Sequence, residues 1–181
     1  AEHRPGSHWR LALSGFHFLI TNLIGETSNS DGLIQLVNQG RVRAEGLEAE
    51  AEGRWARGLA LRAGWSVTNA RDDLTDERLR NSPVQLGKLA LIVPLVRDDL
   101  HLGVEGLYAG RALTRAGAWV PASTLLNLTL SATHLPGGLE PTFSVTNVFD
   151  RAVKIVGGPE LLQDTLPGPG RAWRLSLTVR R

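Results

Sequence analysis

The chain has 181 residues, with 20 Lys plus Arg against 18 Asp plus Glu, 42% hydrophobic residues, 20 Gly, 9 Pro and no Cys. That is too apolar for disorder and too punctuated for a helical bundle. A formal charge of +2 without a run of five like charges excludes a nucleic-acid tail, and the lack of Cys excludes disulfides, thiolate zinc sites and thiol catalysis.

No stretch approaches 18 consecutive apolar residues, so no transmembrane helix is expected. The opening Ala1, with neither Met nor a basic-then-apolar leader, leads to the expectation of a removed signal peptide or a piece of a longer chain. No P-loop, GxGxxG, HExxH or GxSxG element is present, which disfavours a conventional soluble enzyme.

The dominant pattern has period two. Leu59, Leu61, Ala63, Trp65 and Val67 alternate with Ala60, Arg62, Gly64, Ser66 and Thr68. The rhythm recurs at Leu100, Leu102, Val104, Gly106 and Tyr108, at Leu126, Leu128, Leu130 and Ala132, and at Trp173, Leu175, Leu177 and Val179. Successive strand residues point to opposite faces, so each segment has one apolar and one polar face. About eight strands are predicted: 9–24, 34–55, 59–70, 84–96, 100–113, 120–135, 139–156 and 171–181.

Short turns at 56–58, 97–99 and 136–138 alternate with longer loops at 25–32, 71–83, 114–119 and 157–170. All tight turns then fall at one end of an antiparallel sheet, the asymmetry of outer-membrane barrels. Strands three to six and eight put no charge on the apolar face, as lipid would enforce and a soluble core would too. The other face carries Glu48, Glu50, Glu52, Arg54, Arg62, Lys88, Glu105, Arg111 and Arg174. A wet lumen and the solvated face of a soluble sheet both allow such a mixture, so periodicity alone leaves the choice open.

Four motifs together resemble the C-terminal barrel of TonB-dependent outer-membrane receptors. They are Asn38-Gln39-Gly40 followed by Gly46-Leu47-Glu48-Ala49-Glu50; Leu79-Arg80-Asn81-Ser82-Pro83; Val145-Thr146-Asn147-Val148-Phe149-Asp150; and Gly170-Arg171 leading into Trp173-Arg174-Leu175-Ser176-Leu177. Barrels of this kind have about 22 strands and a plugged lumen, so the chain looks like the last third of one, an all-β antiparallel transmembrane barrel segment of about eight up-and-down strands in a single domain, 1–181. Two features depart from the family: aromatic residues are few, with Trp9, Trp55, Trp65, Tyr108 and Trp173 as girdle candidates, and the chain ends in Arg181 where the family has an aromatic residue.

The resemblance implies uptake of scarce solutes of the iron–siderophore or cobalamin type, residence in the outer membrane of a Gram-negative cell, and contact with lipid. It also implies, as partners, the remaining barrel strands and a plug, with TonB reached only through that plug. No enzyme activity, cofactor, metal or nucleic acid is expected. The lumen candidates are Glu48, Glu50, Glu52, Arg62, Lys88, Glu105 and Arg111, whose plainer role is a wall of paired charges. Glu160, Gln163 and Asp164 are outer-loop ligand candidates, with a plain surface loop as the alternative. Asn127-Leu128-Thr129 matches a glycosylation sequon, discounted for its mid-strand position. Asn147 and Asp150 are read as structural, capping a strand beside Phe149. Two further hypotheses remain: a small self-closing eight-stranded barrel with a structural or passive-pore role, and a soluble β-sandwich binding module.

Overall fold

Segments that alternate at period two and are joined by tight turns satisfy their backbone polar groups by pairing with their neighbours. The computed structural model, which describes residues 1–28, 33–38, 40–96, 99–158 and 160–180, has no α-helix among those residues. Its strands are β1 (Glu2–His3), β2 (Trp9–Thr21), β3 (Ile24–Ser28), β4 (Ile34–Asn38), β5 (Arg41–Arg54), β6 (Ala60–Asp72), β7 (Gln85–Val96) and β8 (Leu100–Ala109). They continue with β9 (Ala112–Leu113), β10 (Trp119–Val120), β11 (Ser123–Ala132), β12 (Leu139–Thr146), β13 (Lys154–Val156), β14 (Thr165–Pro167) and β15 (Ala172–Val179).

Nine strands make one antiparallel sheet in the order β1-β2-β5-β6-β7-β8-β11-β12-β15. Each long strand lies beside the next long strand in sequence, so the topology is an up-and-down meander. The sheet is not closed. β1 pairs with the free edge of β2 through Glu2↔Ala12 and His3↔Leu11, and the Leu13 amide donates to the Ala1 carbonyl at 2.8 Å. Among the described residues β15 pairs only with β12.

The remaining strands form three separate hairpins, β3–β4, β9–β10 and β13–β14. All three lie at the end opposite the tight turns. They account for the places where the predicted strands run too long. The predicted 9–24 stops at Thr21, where Asn22 takes a φ of 60°, and the predicted 34–55 breaks at Gly40, with a φ of 121° that favours glycine. The predicted 139–156 ends at Thr146, because Asn147 at φ 49° turns the chain out of the sheet. Segments 112–113 and 119–120 pair with each other and leave the large sheet. The expected turn at 97–99 falls largely outside the described residues, as do Gln39 and Arg181.

Register sets the tilt. One lateral row runs through Trp9, Gly53, Leu61, Leu91, Val104, Leu128, Val145 and Trp173. All eight residues are apolar or glycine. Measured from this row, the tight turns descend steadily: Ser7 is two residues before Trp9, and Arg57 is four before Leu61. The midpoint between Val96 and Leu100 is six before Val104, and Gly137 is eight before Val145. Two residues per hairpin is one per strand. With a rise of about 3.3 Å per residue and a strand spacing of about 4.8 Å, that stagger tilts the strands by about 35°, within the range of closed barrels.

Candidate functional site

The same register sorts the side chains of the sheet into two faces. The apolar face carries Leu11 and Leu13 on β2, Leu47, Ala49 and Ala51 on β5, and Leu61, Ala63, Trp65 and Val67 on β6. It continues through Leu89 and Leu91, then Leu102, Val104 and Tyr108, then Leu126, Leu128 and Leu130. Phe143, Val145, Trp173, Leu175 and Leu177 complete it. Among the described residues nothing packs over this face: Leu13 is 55%, Leu47 59% and Leu175 76% exposed. Among the described residues the buried apolar set is small, and its one cluster, Ala112, Val120 and Val156, sits in the outer hairpins.

The one-residue-per-strand stagger also sorts the aromatic residues by height above the tight turns. Trp9 and Trp55 lie just above them and pack edge to face, with ring centroids 5.0 Å apart. Trp173 shares Trp9's lateral row but stands seven strands away in the sheet, so it lies about seven residues higher above the turns. Trp65 and Tyr108 reach the same upper level and stack at 5.0 Å across Gly87, where a Cβ would collide with the Trp65 ring. The two levels are on the order of 20 Å apart along the sheet axis. Above the upper level the apolar face turns polar. His17 meets Glu45 at 3.8 Å, Asn69 donates to Glu45 at 3.2 Å, and Arg43 and Arg71 both hold Asp76 at 3.1 Å.

On the opposite face the acidic ladder lies where the spacing put it, with Glu48, Glu50 and Glu52 on one side of β5. Arg62 pairs with Glu52 at 3.0 Å. Arg10, which sequence reading did not single out, reaches Glu2 at 3.4 Å and both Glu50 and Glu52 at 3.8 Å. Its even position on β2 was the available signal. Lys88 stands on the same face, sharing a groove of about 390 Å³ with Glu50, Glu52, Arg62 and Glu105. Among the described residues neither Glu48 nor Lys88 forms an ion pair. Arg111 lies elsewhere, between β8 and β9 beyond the large sheet, with its guanidinium 4.5 Å above the Trp119 ring.

A polar clasp crosses from this face to the outer loops. Asn127 donates to Glu105 at 2.7 Å and accepts the Asn147 amide at 2.9 Å. Asn147 is 3% exposed; its side chain donates to the carbonyls of Arg151 and Pro169 and accepts the Arg151 amide at 2.9 Å. Asp150 accepts the Arg171 amide at 2.9 Å, joining the third motif to the fourth. Of the loop candidates, Glu160 and Gln163 are exposed. Asp164 is tied down: its carboxylate accepts from the Thr114 hydroxyl and from the Ala116 amide at 3.1 Å, which holds its pKa below the usual aspartate value. Thr114 itself is fully buried. No group of three or more His, Cys, Asp or Glu able to hold a metal occurs among the described residues.

A tilted, up-and-down antiparallel sheet with one uninterrupted apolar face and one charged face is a wall segment of a β-barrel. Residues 4–148 match the family model described as TonB dependent receptor-like, beta-barrel, and the chain belongs to that family. No curated protein sequence matches it. Among solved structures it is similar to the FrpB iron transporter from Neisseria meningitidis, with 22% identity over 97% of this chain and 29% of that one and a TM-score of 0.71. The ferric yersiniabactin uptake receptor FyuA from Yersinia pestis gives 16% identity, 98% and 28% coverage and a TM-score of 0.73. The ferric-catecholate import receptor Fiu from E. coli K12 gives 18%, 94%, 25% and 0.71. At these identities the likeness is one of fold. The chain spans about a quarter of the length of the structures it matches.

Proposed function

We propose that residues 1–181 form the C-terminal wall domain of an outer-membrane receptor that imports a scarce chelated nutrient, with iron–siderophore complexes favoured over cobalamin. The observation that carries this reading is the uncovered apolar face bounded by two aromatic levels. Burying a Leu or Phe side chain is worth about 1.5–3 kcal/mol, and a water-soluble sandwich would cover such a face with a second sheet about 10 Å away. Among the described residues no second sheet covers this face; the three small hairpins stand at the end opposite the tight turns. Lipid is the remaining cover, and a band of about 25 Å flanked by aromatic girdles is the outer surface of a membrane barrel.

The charged face then lines the interior. Glu48 and Lys88, free of ion pairs among the described residues, are available to the plug or to solute, while Glu50, Glu52, Arg62 and Glu105 brace the wall. Glu160 and Gln163 are the loop groups still open to a ligand. TonB acts through the plug, which the rest of the receptor supplies, and the chain carries no catalytic role. The competing small barrel would need β15 to pair with β2, and among the described residues the two strands do not pair. An iron chelate is supported by the names of the similar structures, an iron transporter and receptors for ferric complexes.

The test is uptake of radiolabelled ferric siderophore by cells carrying the complete receptor, with and without TonB. Uptake that disappears without TonB is expected, as is no energy-dependent uptake by residues 1–181 alone. Import by this segment alone would refute the reading.

A further inference from the structure

Just above the upper aromatic level, on the outward side of the sheet, lies a groove of about 550 Å³ that the proposed transport role does not use. Its wall includes Tyr108 and Gln85, which stand on the face of the sheet that carries the apolar belt. Val84, Val120, Pro121 and Ala122 give it an apolar lining. Two guanidinium groups complete it. Arg111 lies over the Trp119 ring at 4.5 Å, and Arg78 donates to the Asn69 side-chain oxygen at 3.2 Å. Neither has a carboxylate within ion-pair distance among the described residues. That sets them apart from Arg41, Arg43 and Arg71 nearby, each paired to Asp73 or Asp76.

Two unneutralised guanidinium groups beside an aromatic face, over an apolar lining, suit a ligand with an anionic head and an apolar body. Arg presents planar paired donors that match phosphate oxygens. The groove opens where the lipid-facing belt ends, at headgroup depth. We propose that it binds the phosphate of an anionic lipid in the outer leaflet, with Arg78 and Arg111 on the phosphate and the apolar lining against the first carbons of the lipid. The inference rests on the reading that the apolar face meets lipid.

The test uses the complete receptor, folded in vesicles of phosphatidylcholine containing a minor fraction of phosphatidic acid. After extraction in mild detergent, native mass spectrometry counts the phosphatidic acid retained. Failure to insert would refute the lipid-facing reading itself, so binding is scored only on inserted, heat-modifiable protein. The wild type is expected to retain phosphatidic acid in preference to phosphatidylcholine. Each guanidinium removed, Arg78→Gln or Arg111→Gln, should weaken retention about fivefold, the weight of one basic residue at an anionic surface. Arg4→Gln, the same charge loss at the opposite end of the sheet, should leave retention unchanged. If part-buried Arg78→Gln does not fold, exposed Arg111→Gln alone decides the matter. Equal retention by wild type and the Arg111 variant overturns the proposal. So does displacement of the lipid by inorganic phosphate at equal concentration, since the groove would then read phosphate and not lipid.

Discussion

Ala63→Arg and Gly64→Arg introduce the same side chain at adjacent positions of β6, on opposite faces. Ala63 lies on the apolar face between Ala51 and Leu89. The stagger places it about midway between the two aromatic levels, near the centre of the band. Gly64 lies on the charged face between Glu50 and Lys88, and a Cβ built there meets nothing within 4 Å. An Arg facing lipid at the midplane costs about 2–4 kcal/mol, which lowers the folded-to-unfolded ratio by about 30-fold to about 1,000-fold. At Gly64 the new guanidinium gains Glu50 as a neighbour and leaves the lipid surface untouched. Heat-modifiable migration of the complete receptor, combined with urea titration in vesicles, measures both. Loss of assembled protein is expected for Ala63→Arg and near-normal assembly for Gly64→Arg. Equal tolerance of the two changes would refute the assignment of faces.

Other substitutions test the supports of the wall. Asn147→Ala removes the buried side chain that serves Arg151 and Pro169, and should destabilise by about 1–3 kcal/mol in urea titrations, the cost of leaving buried polar groups unpaired. Gly87→Val forces the Trp65 ring off its stacking position on Tyr108, and should lower the unfolding free energy by about 1–3 kcal/mol, as overpacking does. Asp164 has a folded-state pKa below its unfolded value, so its contribution is present at neutral pH and is lost as pH falls through the folded pKa, below about 3.9. The protection factor of the Ala116 amide, its exchange corrected for the intrinsic pH dependence, should therefore fall on acidification below that value in the wild type. Asp164→Asn should already show a lower protection factor there at neutral pH and a weaker pH response.

The strands of the large sheet were legible because its two faces impose opposite requirements on alternate residues, and that alternation needs no long-range information. Strand ends were less so. Asn22, Asn147 and Asp150 adopt left-handed backbone that Asn and Asp tolerate, a choice that depends on the local turn more than on any periodic signal. The β3–β4 hairpin stands outside the large sheet, and Gly25-Glu26-Thr27-Ser28 carries no alternation to mark it as a strand. In the site, Glu48, Glu50 and Glu52 followed from spacing by two. Arg10 as their partner, Asn127 as a link between Glu105 and Asn147, and Arg111 as a loop cation over Trp119 depend on cross-strand register and loop packing. One strand's sequence does not contain them. Asn127 shows the difference most clearly: a discounted sequon by motif, it is by register the centre of a hydrogen-bonded clasp.

The chain lacks Cys, so an introduced one is unique within it. A nitroxide scan along β7 from Gln85 to Val93, in the complete receptor folded into vesicles, compares collision with oxygen, which dissolves in the bilayer, against collision with a water-soluble nickel complex. The account predicts strict alternation: Gly87, Leu89, Leu91 and Val93 favour oxygen, most strongly at Leu89 and Leu91, while Leu86, Lys88, Ala90 and Ile92 favour nickel. Uniform accessibility along the strand, or the opposite phase, would contradict it.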